Sequence, residues 1–400
     1  MLGGSKATDL SEYSIKIDDT EISNFCMSVV VFQDIFSPSW VCEVYVADTS
    51  NLLMLLPIKE KSKIEIQLGT SHNSITDDKK TFTFYVYGIA DKVFKSVNDQ
   101  NYTIIGVSEQ FFKNQTIRIQ KAFKNISPLD IAQKILKDKL NVTVETDNCD
   151  NNITTTISNL TPFHAVYKMC KFALIDKAAD ALFYQIDDGK YVIKSIEKMY
   201  SDNDSNWTFK IRPNNLKDDL GNQLEDRNLC INDYNVDHYN LGSNMASGMY
   251  GSKTVSFDFK SKAFTTKEFN FGDDISEDKK NVSLDEDITS TNANIRFIPK
   301  HTGLQGDKST TDFAEKWGPS RKSSLMKLEQ NKLIIQCPGG VGAWEILGKT
   351  VDIELPSNQI LIQQDLDPNM AGKYLVMAIA HFASASSYFV NYELAKKRKG

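Results

Sequence analysis

The sequence predicts a mainly β protein of the α+β class, with two small antiparallel β-barrel domains and mixed α/β accessory domains in one chain. Three observations predict this class. Alternating apolar and polar residues, typical of half-buried antiparallel strands, fill the first 120 residues and return after residue 331. Two stretches of this pattern repeat with nearly constant spacing. Between them lie two amphipathic helices and a hairpin.

The repeat consists of three predicted strands in each copy. These strands are 63–68, 87–94 and 102–107 in the first copy, and 350–355, 374–382 and 388–394 in the second. Ile64 and Val351 are 287 positions apart, as are Tyr87 and Tyr374, and the third strands slip by one residue. Because alternation is common in β proteins, two unrelated strand-rich segments are the competing explanation.

Residues 1–120 are predicted to form the first β-barrel domain. Its further alternating runs are 13–17, 23–32, 40–46 and 117–119. A mixed α+β domain follows over residues 121–198. Its two helices begin at Ser127-Pro128 and Thr161-Pro162, where a hydroxyl N-cap precedes proline at the first helical position. Asp188-Gly189 between two alternating runs predicts the hairpin that closes this domain.

The second half of the chain is predicted to hold an interrupted second barrel. Residues 199–239 begin it, residues 240–330 form an inserted mixed segment that packs with 121–198, and residues 331–395 complete it. Within the insertion the sequence predicts strands at 254–259 and 267–271, a long loop over 273–310 and a helix over 311–330. Gly318-Pro319 is expected to kink or split that helix. Residues 396–400 form a basic tail.

Composition and charge exclude several classes of protein. The 400 residues are 41% hydrophobic and 24% charged, which indicates a soluble globular protein of about two to four domains. No segment approaches the roughly 20 apolar residues that span a bilayer, and no secretory signal begins the chain. The net charge of −6 argues against a nucleic-acid reader, and the basic tail is most simply a solvated terminus.

The sequence shows no constellation of residues typical of a catalytic site. The six cysteines are spread singly, which indicates reduced thiols rather than disulfides or a zinc site. The five histidines are also scattered, and they are His72, His164, His238, His301 and His381. No catalytic residue, metal ligand or cofactor site is predicted. A hydrolase that uses Asp187 or Asp188 with a distant carboxylate stays open as an alternative.

Three segments resemble a known family. The first is Gly248 to Lys260, GMYGSKTVSFDFK, with Lys262, Phe269 and Phe271 behind it. The second comprises Arg321, Leu325, Leu328, Ile334, Ile335, Trp344 and Gly348 to Val351. The third comprises Gly372 to Val376, His381, Phe382 and Tyr392 to Leu394. Together they resemble baseplate central hub proteins of contractile-tailed, T-even-type bacteriophages, and the third also resembles the hub part of type VI secretion spike proteins.

The resemblance implies a structural virion protein rather than an enzyme. In that family each chain carries two tail-tube-like barrels, and a homotrimer arranges six of them in a pseudo-sixfold ring. Such a ring joins a trimeric spike to the hexameric tail tube or tube-initiator proteins, beside the tape measure, and leaves a channel for DNA. No spike domain follows the second barrel, so the spike is expected to be a separate chain. Assembly in the bacterial host cytoplasm and a place in the tail baseplate follow from the same resemblance.

Four residues are candidate site residues on this interpretation. Glu65 and Asp352, equivalent within the repeat, are expected to line the channel, where acidic groups would keep passing DNA from adhering. Tyr87 and Tyr374 are expected at the trimer interface, although ordinary core aromatics are the competing explanation. A monomeric β-rich module that binds carbohydrate or another ligand is the alternative function, and it would need neither a duplicated barrel nor a threefold axis.

Overall fold

The computed structural model describes most of the chain. The described residues are 10–56, 58–70, 78–96, 99–202, 207–211, 229–236, 241–270, 292, 294–300, 313–330, 332–340, 342–356, 366–367 and 370–396. His72, His238, His301 and residues 397–400 of the basic tail lie outside the described residues.

Strands dominate, and helices are concentrated in the middle of the chain. The strands are β1 (Leu10–Ile17), β2 (Thr20–Glu21), β3 (Cys26–Asp34), β4 (Val41–Asp48), β5 (Lys63–Thr70), β6 (Asp78–Ser96), β7 (Asp99–Val107), β8 (Ile119–Ile126), β9 (Thr143–Thr146), β10 (Ile153–Leu160), β11 (Ala181–Asp187), β12 (Lys190–Ser195), β13 (Thr208–Lys210), β14 (Asp233–Val236), β15 (Gly251–Asp258), β16 (Ala263–Asn270), β17 (Ile295–Lys300), β18 (Lys332–Pro338), β19 (Thr350–Glu354), β20 (Gly372–Ser384) and β21 (Ser387–Lys396). The helices are α1 (Leu52–Leu55), α2 (Glu109–Thr116), α3 (Pro128–Leu140), α4 (Pro162–Phe172), α5 (Ile196–Ser201), α6 (Leu241–Ser247) and α7 (Gly318–Gln330). The predicted mainly β, α+β class is confirmed.

Both copies of the repeat belong to one 13-stranded sheet. Its order is β14-β18-β21-β20-β3-β4-β7-β6-β5-β1-β2, with β19 also paired to β20 and β13 paired to β19. The first copy runs β5-β6-β7-β4-β3, and the second runs β19-β20-β21-β18-β14 in the same order. Among the described residues no strand pair closes either copy into a barrel. Instead, β3 of the first copy pairs with β20 of the second.

The residue equivalence between the copies differs from the sequence-based alignment in its second strand. Ile64 pairs with Phe84, whereas Val351 pairs with Tyr374. Phe84 is therefore equivalent to Tyr374, 290 positions away, and Tyr87 is equivalent to Met377. The same bulge confirms this offset, because both Tyr87 and Met377 are the extra residue where the pairing shifts. Successive side chains of a strand point to opposite faces, so an alignment error of three positions places a side chain on the wrong face. Alternation alone therefore matched Tyr374 with Tyr87 instead of with Phe84.

Residues 117–119 belong to the accessory domain rather than to the first repeat. They were predicted to end the first barrel, but Ile119 begins β8, which pairs with β10 in a separate two-stranded sheet. The missed helix α2 precedes this strand and separates it from β7. Part of the loop predicted over 273–310 is also a strand, because β17 pairs in parallel with β15.

The accessory domain has its own apolar core beneath α3 and α4. Both predicted helices form, and each has proline at its first turn. The Thr161 hydroxyl caps α4 by accepting from the His164 amide at 3.4 Å, whereas the Ser127 side chain makes no capping hydrogen bond. The predicted hairpin pairs β11 with β12, and Gly189 adopts the positive φ of 68° that its turn requires.

The inserted segment contacts this accessory domain through α7. The Arg321 Nη1 atom donates to the carbonyl oxygens of Ala179, at 3.1 Å, and Cys170, at 3.4 Å. Phe313 packs edge-on against Phe172, with ring centroids 5.9 Å apart. Phe313 opens a π-helical turn that gives way to α7 at Gly318, which is where the sequence predicts a kink or split.

A buried polar cluster joins the accessory domain to the first repeat. The Gln185 Oε1 atom accepts from the Trp40 amide at 3.1 Å and from the Ser108 hydroxyl at 2.7 Å. The Trp40 indole donates to the Gln185 carbonyl oxygen at 3.1 Å. Trp40 and Gln185 are almost wholly buried, so no solvent can replace these hydrogen bonds.

Replacing Gln185 with alanine is expected to lower the free energy of unfolding by about 1–3 kcal/mol, because the Ser108 hydroxyl and the Trp40 amide lose a buried acceptor. The measurement is the urea dependence of tryptophan fluorescence. Gln115→Ala, at an exposed position in α2, is the matched control and should leave the unfolding midpoint unchanged. Equal midpoints for the two variants would show that the cluster does not stabilise the fold.

Candidate assembly surfaces

The two carboxylates kept as a hydrolase candidate lie where the hairpin meets the first repeat. Asp187 accepts from Lys80 of β6 at 2.9 Å and from Lys190 at 3.0 Å. Burial opposes ionisation of Asp187, but these two lysines lower its pKa overall. Burial, followed by the Asp187 charge, raises the pKa of Asp188. The Lys80–Asp187 ion pair ties β11 to β6, which is a structural role for this pair.

Within the described residues, no group of three His, Cys, Asp or Glu side chains is placed to hold a metal ion. No helix in the described part of the chain is long and apolar enough to cross a membrane. The six cysteines, all among the described residues, are free thiols.

The joint between the two copies is an antiparallel strand pair. Residues Ala378 to Ala383 of β20 pair with Val29 to Asp34 of β3. On β20, β21 occupies one edge from Tyr374 to Ser384, so β3 and β19 share the other edge. Backbone hydrogen bonds therefore make the two copies one continuous sheet.

His381 lies at the centre of this joint and is fully buried. Its Nε2 atom lies 3.1 Å from Gln33 Oε1 of β3, and its Nδ1 atom lies 2.9 Å from the Tyr388 hydroxyl. Since Gln33 Oε1 can only accept, the neutral ring donates from Nε2 and accepts at Nδ1. Burial lowers the pKa of His381 to about 3, from an ordinary value of 6.5.

Glu65 and Asp352 occupy equivalent positions on the outward faces of β5 and β19. Glu65 faces Thr83 across the ladder, and Asp352 faces Lys373. Each carboxylate has a lysine beside it, because Glu65 also forms an ion pair with Lys63. The structure thus confirms the register equivalence of the two acids and shows that their surroundings are mixed in charge.

Tyr87 and Tyr374 lie in different environments. Tyr87 is 54% exposed and packs against Phe111, with ring centroids 5.7 Å apart. Tyr374 is 3% exposed, and its hydroxyl donates to the Met370 carbonyl oxygen at 2.6 Å. A buried ring presents no surface to a second chain, so only Tyr87 remains available for an interface.

One group of exposed apolar side chains lies on the outer half of β6. Sequence analysis missed this surface apart from Tyr87. Its members are Tyr87, Ile89, Val93 and Phe94. Contiguous apolar exposure of this kind is typical of a protein–protein interface. The signal available in the sequence was the length of the alternating run, which continues past the point where β5 ends.

Comparisons with known proteins give structural matches. No protein-family model and no curated protein sequence matches the chain. A tail protein from Neisseria meningitidis MC58 is 12% identical, with a TM-score of 0.54, and the alignment covers 96% of each chain. The 43 kDa tail protein of prophage MuSo2 from Shewanella oneidensis is 11% identical, with a TM-score of 0.56 over 96% of this chain and 98% of that one.

A third structure is an Escherichia coli component of the type VI secretion system. It is 8% identical, with a TM-score of 0.46 over 96% of this chain and 78% of that one. At the identities of the two tail proteins, the likeness shows a shared fold along nearly the whole chain. The resemblance to phage tail proteins drawn from the sequence is therefore confirmed at the level of fold.

The free energy of unfolding is expected to fall as the pH drops from about 6.5 toward about 3, by roughly 1.4 kcal/mol per pH unit from His381 alone. The unfolded chain binds a proton at this residue in that window, whereas the folded chain does not. Above about pH 6.5 this contribution to stability is fully present. Urea unfolding between pH 4 and 8 measures the slope.

The control compares two histidine substitutions. His381→Gln should flatten the slope between pH 4 and 6.5, and His164→Gln, at an exposed helical position, should retain it. If both variants kept the slope of the parent chain, burial of neutral His381 would not be its cause.

Proposed function

We propose that this chain is a baseplate hub subunit of a contractile-tailed bacteriophage, three copies of which form a pseudo-sixfold ring. The ring joins a trimeric tail spike, a separate chain, to the hexameric tail tube or tube-initiator proteins next to the tape measure. A central channel lets DNA pass. The role is structural and non-enzymatic, in the virion baseplate, after assembly in the bacterial host cytoplasm.

The observation that carries this proposal is the joint between the two copies. Strands β5-β6-β7-β4-β3 and β19-β20-β21-β18-β14 are paired in the same order, and β20·β3 links them side by side. A chain built this way carries two similar units that follow one another side by side in the same orientation. Contacts that repeat head to tail close into a ring when the rotation per unit divides a full turn, so three chains can present six similar faces.

The two tail proteins of similar fold support this assignment without establishing it. Each alignment covers 96% of this chain, too much for either copy of the repeat to be left out. One is a tail protein and the other is a tail protein of a prophage. We carry that role to this chain as part of the proposal.

The proposal places Glu65 and Asp352 along the channel. Because they are equivalent in register, a ring of three chains would carry six carboxylates at matched positions. Their lysine neighbours, Lys63 and Lys373, make this lining balanced rather than uniformly acidic. A lining without excess positive charge gives the DNA phosphates no net attraction, so passing DNA does not adhere.

The purified chain is expected to have a mass three times the 45.1 kDa of one subunit, because two similar interfaces per chain close a threefold ring. Light scattering across a dilution series measures the mass. Class averages from electron microscopy should then show a ring with a central hole. A monomer at every concentration, with or without the spike, would contradict the hub role and favour the ligand-binding module.

The double variant Glu65→Lys and Asp352→Lys is expected to bind a short DNA oligonucleotide more tightly at low salt, because cations in a confined channel attract phosphates. Its control is Glu60→Lys with Glu345→Lys, at two exposed carboxylates in turns. Both variants change the chain's net charge from −6 to −2. Fluorescence anisotropy at several salt concentrations measures binding, and equal affinity of the two variants would exclude a channel position for the acids.

A further inference from the structure

The joint between the two copies has two unoccupied counterparts, one on the outer half of β6 and one on the terminal strand β14. On β6, β7 pairs with one edge from Tyr85 to Ser96, and β5 pairs with the other edge only from Asp78 to Tyr85. Within the described part of the chain, the rest of that edge, Gly88 to Phe94, has no partner strand. This is the edge that β3 covers on the equivalent strand β20.

The strand equivalent to β3 is also unpartnered on one side. In the second copy this strand is β14, which pairs with β18 as β3 pairs with β4. Val44 and Ile335 are equivalent, because each is linked through one strand to an equivalent position of β6 or β20, Ile89 or Ile379. Val29 lies opposite Val44, and Tyr234 lies opposite Ile335, so Val29 and Tyr234 are equivalent too. In the described sheet β14 is the terminal strand, so its outer edge faces no other strand.

Burial separates the occupied joint from these two edges. On the occupied joint, Ala383 is 2% exposed and Val29 is fully buried. β6 has a second bulge between Ala90 and Val93 that β20 lacks, so beyond it the offset between the two strands falls from 290 to 289 positions. The equivalents of Ala383 and Val29 are therefore Phe94, which is 70% exposed, and Tyr234, which is 38% exposed. Two apolar side chains that are buried at the occupied joint are therefore replaced by exposed aromatic side chains on the two free edges.

We propose that β6 of one subunit pairs antiparallel with β14 of the next, placing Phe94 opposite Tyr234 of the neighbouring copy and Val93 opposite its Asn235. The register follows from the internal joint, where Ala383 lies opposite Val29 and Phe382 opposite Val30. This inference rests on the proposed trimer and specifies its contact. The occupant of both edges is a second copy of this chain.

The chemistry of the edges fits this occupant. Unpaired backbone N–H and C=O groups on an edge strand bind another strand readily, and the two edges are the equivalents of the two that pair in the internal joint. A cross-strand aromatic pair adds to the stability of such a contact. Because one edge differs from the other, the contact is head to tail, which can close into a ring but cannot form a twofold dimer.

A cysteine pair tests the register directly. Opposed residues in an antiparallel pair have Cα atoms about 4.5–5.5 Å apart, which is within the range that a disulfide can bridge. Phe94→Cys with Tyr234→Cys, in a chain whose partly exposed Cys149 and Cys230 are replaced by serine, should give covalent dimers and trimers on mild oxidation. Each single substitution should give none, and neither should Phe264→Cys with Tyr234→Cys.

A charge substitution tests the contact without cross-linking. Phe94→Lys should reduce the trimer to monomer by light scattering, because a lysine on the edge opposes strand pairing. Phe264→Lys changes another phenylalanine that is 70% exposed, on β16 outside the proposed contact, and should leave the trimer intact. Unchanged urea midpoints would show that both variants fold.

The outcomes separate this inference from the proposed function. A ring-shaped trimer that shows no Phe94–Tyr234 cross-link and survives Phe94→Lys would overturn the strand pairing while leaving the hub role in place. A chain that stays monomeric and forms no cross-link at any concentration would overturn both. Cross-linked trimers that Phe94→Lys abolishes would support both.

Discussion

The pairing of β20 with β3 is the interaction on which the rest of the structure depends. It makes one sheet of two copies that are separated by most of the chain, and it buries His381 between them. Backbone hydrogen bonds provide the continuity, while the contacts of His381 with Gln33 and Tyr388 select the register. A buried polar group that must find both partners disfavours slipped pairings, in which it would lose at least one of them.

Polar contacts join the accessory parts to this sheet and to one another. Gln185 accepts a hydrogen bond from the Trp40 amide, and Lys80 donates one to Asp187. Arg321 donates hydrogen bonds to two backbone carbonyl oxygens of the accessory domain. Each contact joins segments more than 100 residues apart in the chain. Directional contacts of this kind orient domains that apolar packing alone would allow to slide.

The outer half of β6 and the strand β14 show how a duplicated unit can serve two purposes. In β20 and β3 these strand positions form the joint inside the chain, whereas the equivalent positions in β6 and β14 remain exposed. Exposed edge strands invite uncontrolled association, so proteins normally cover or charge them. Retention of Phe94 and Tyr234 at such edges is physically reasonable if a defined partner covers them.

Local physics made several features predictable from the sequence. Alternation indicated the strands, proline and a hydroxyl residue marked the starts of α3 and α4, and Asp188-Gly189 marked the hairpin, since each depends on backbone preferences within a few residues. The repeat was also visible, because equivalent cores require equivalent apolar patterns. The helix α2 was missed, and its buried residues Gln110 and Asn114 are polar, so they leave little apolar periodicity to recognise.

By itself the sequence determined the mainly β class, the duplication and the positions of most strands and helices. Only the tertiary structure decided that Tyr374 is equivalent to Phe84 rather than to Tyr87, and that Tyr87 is exposed while Tyr374 is buried. It also decided that the copies join through β3 and β20. The reason is that alternation specifies which residues share a face, whereas register and strand order depend on partners hundreds of residues away.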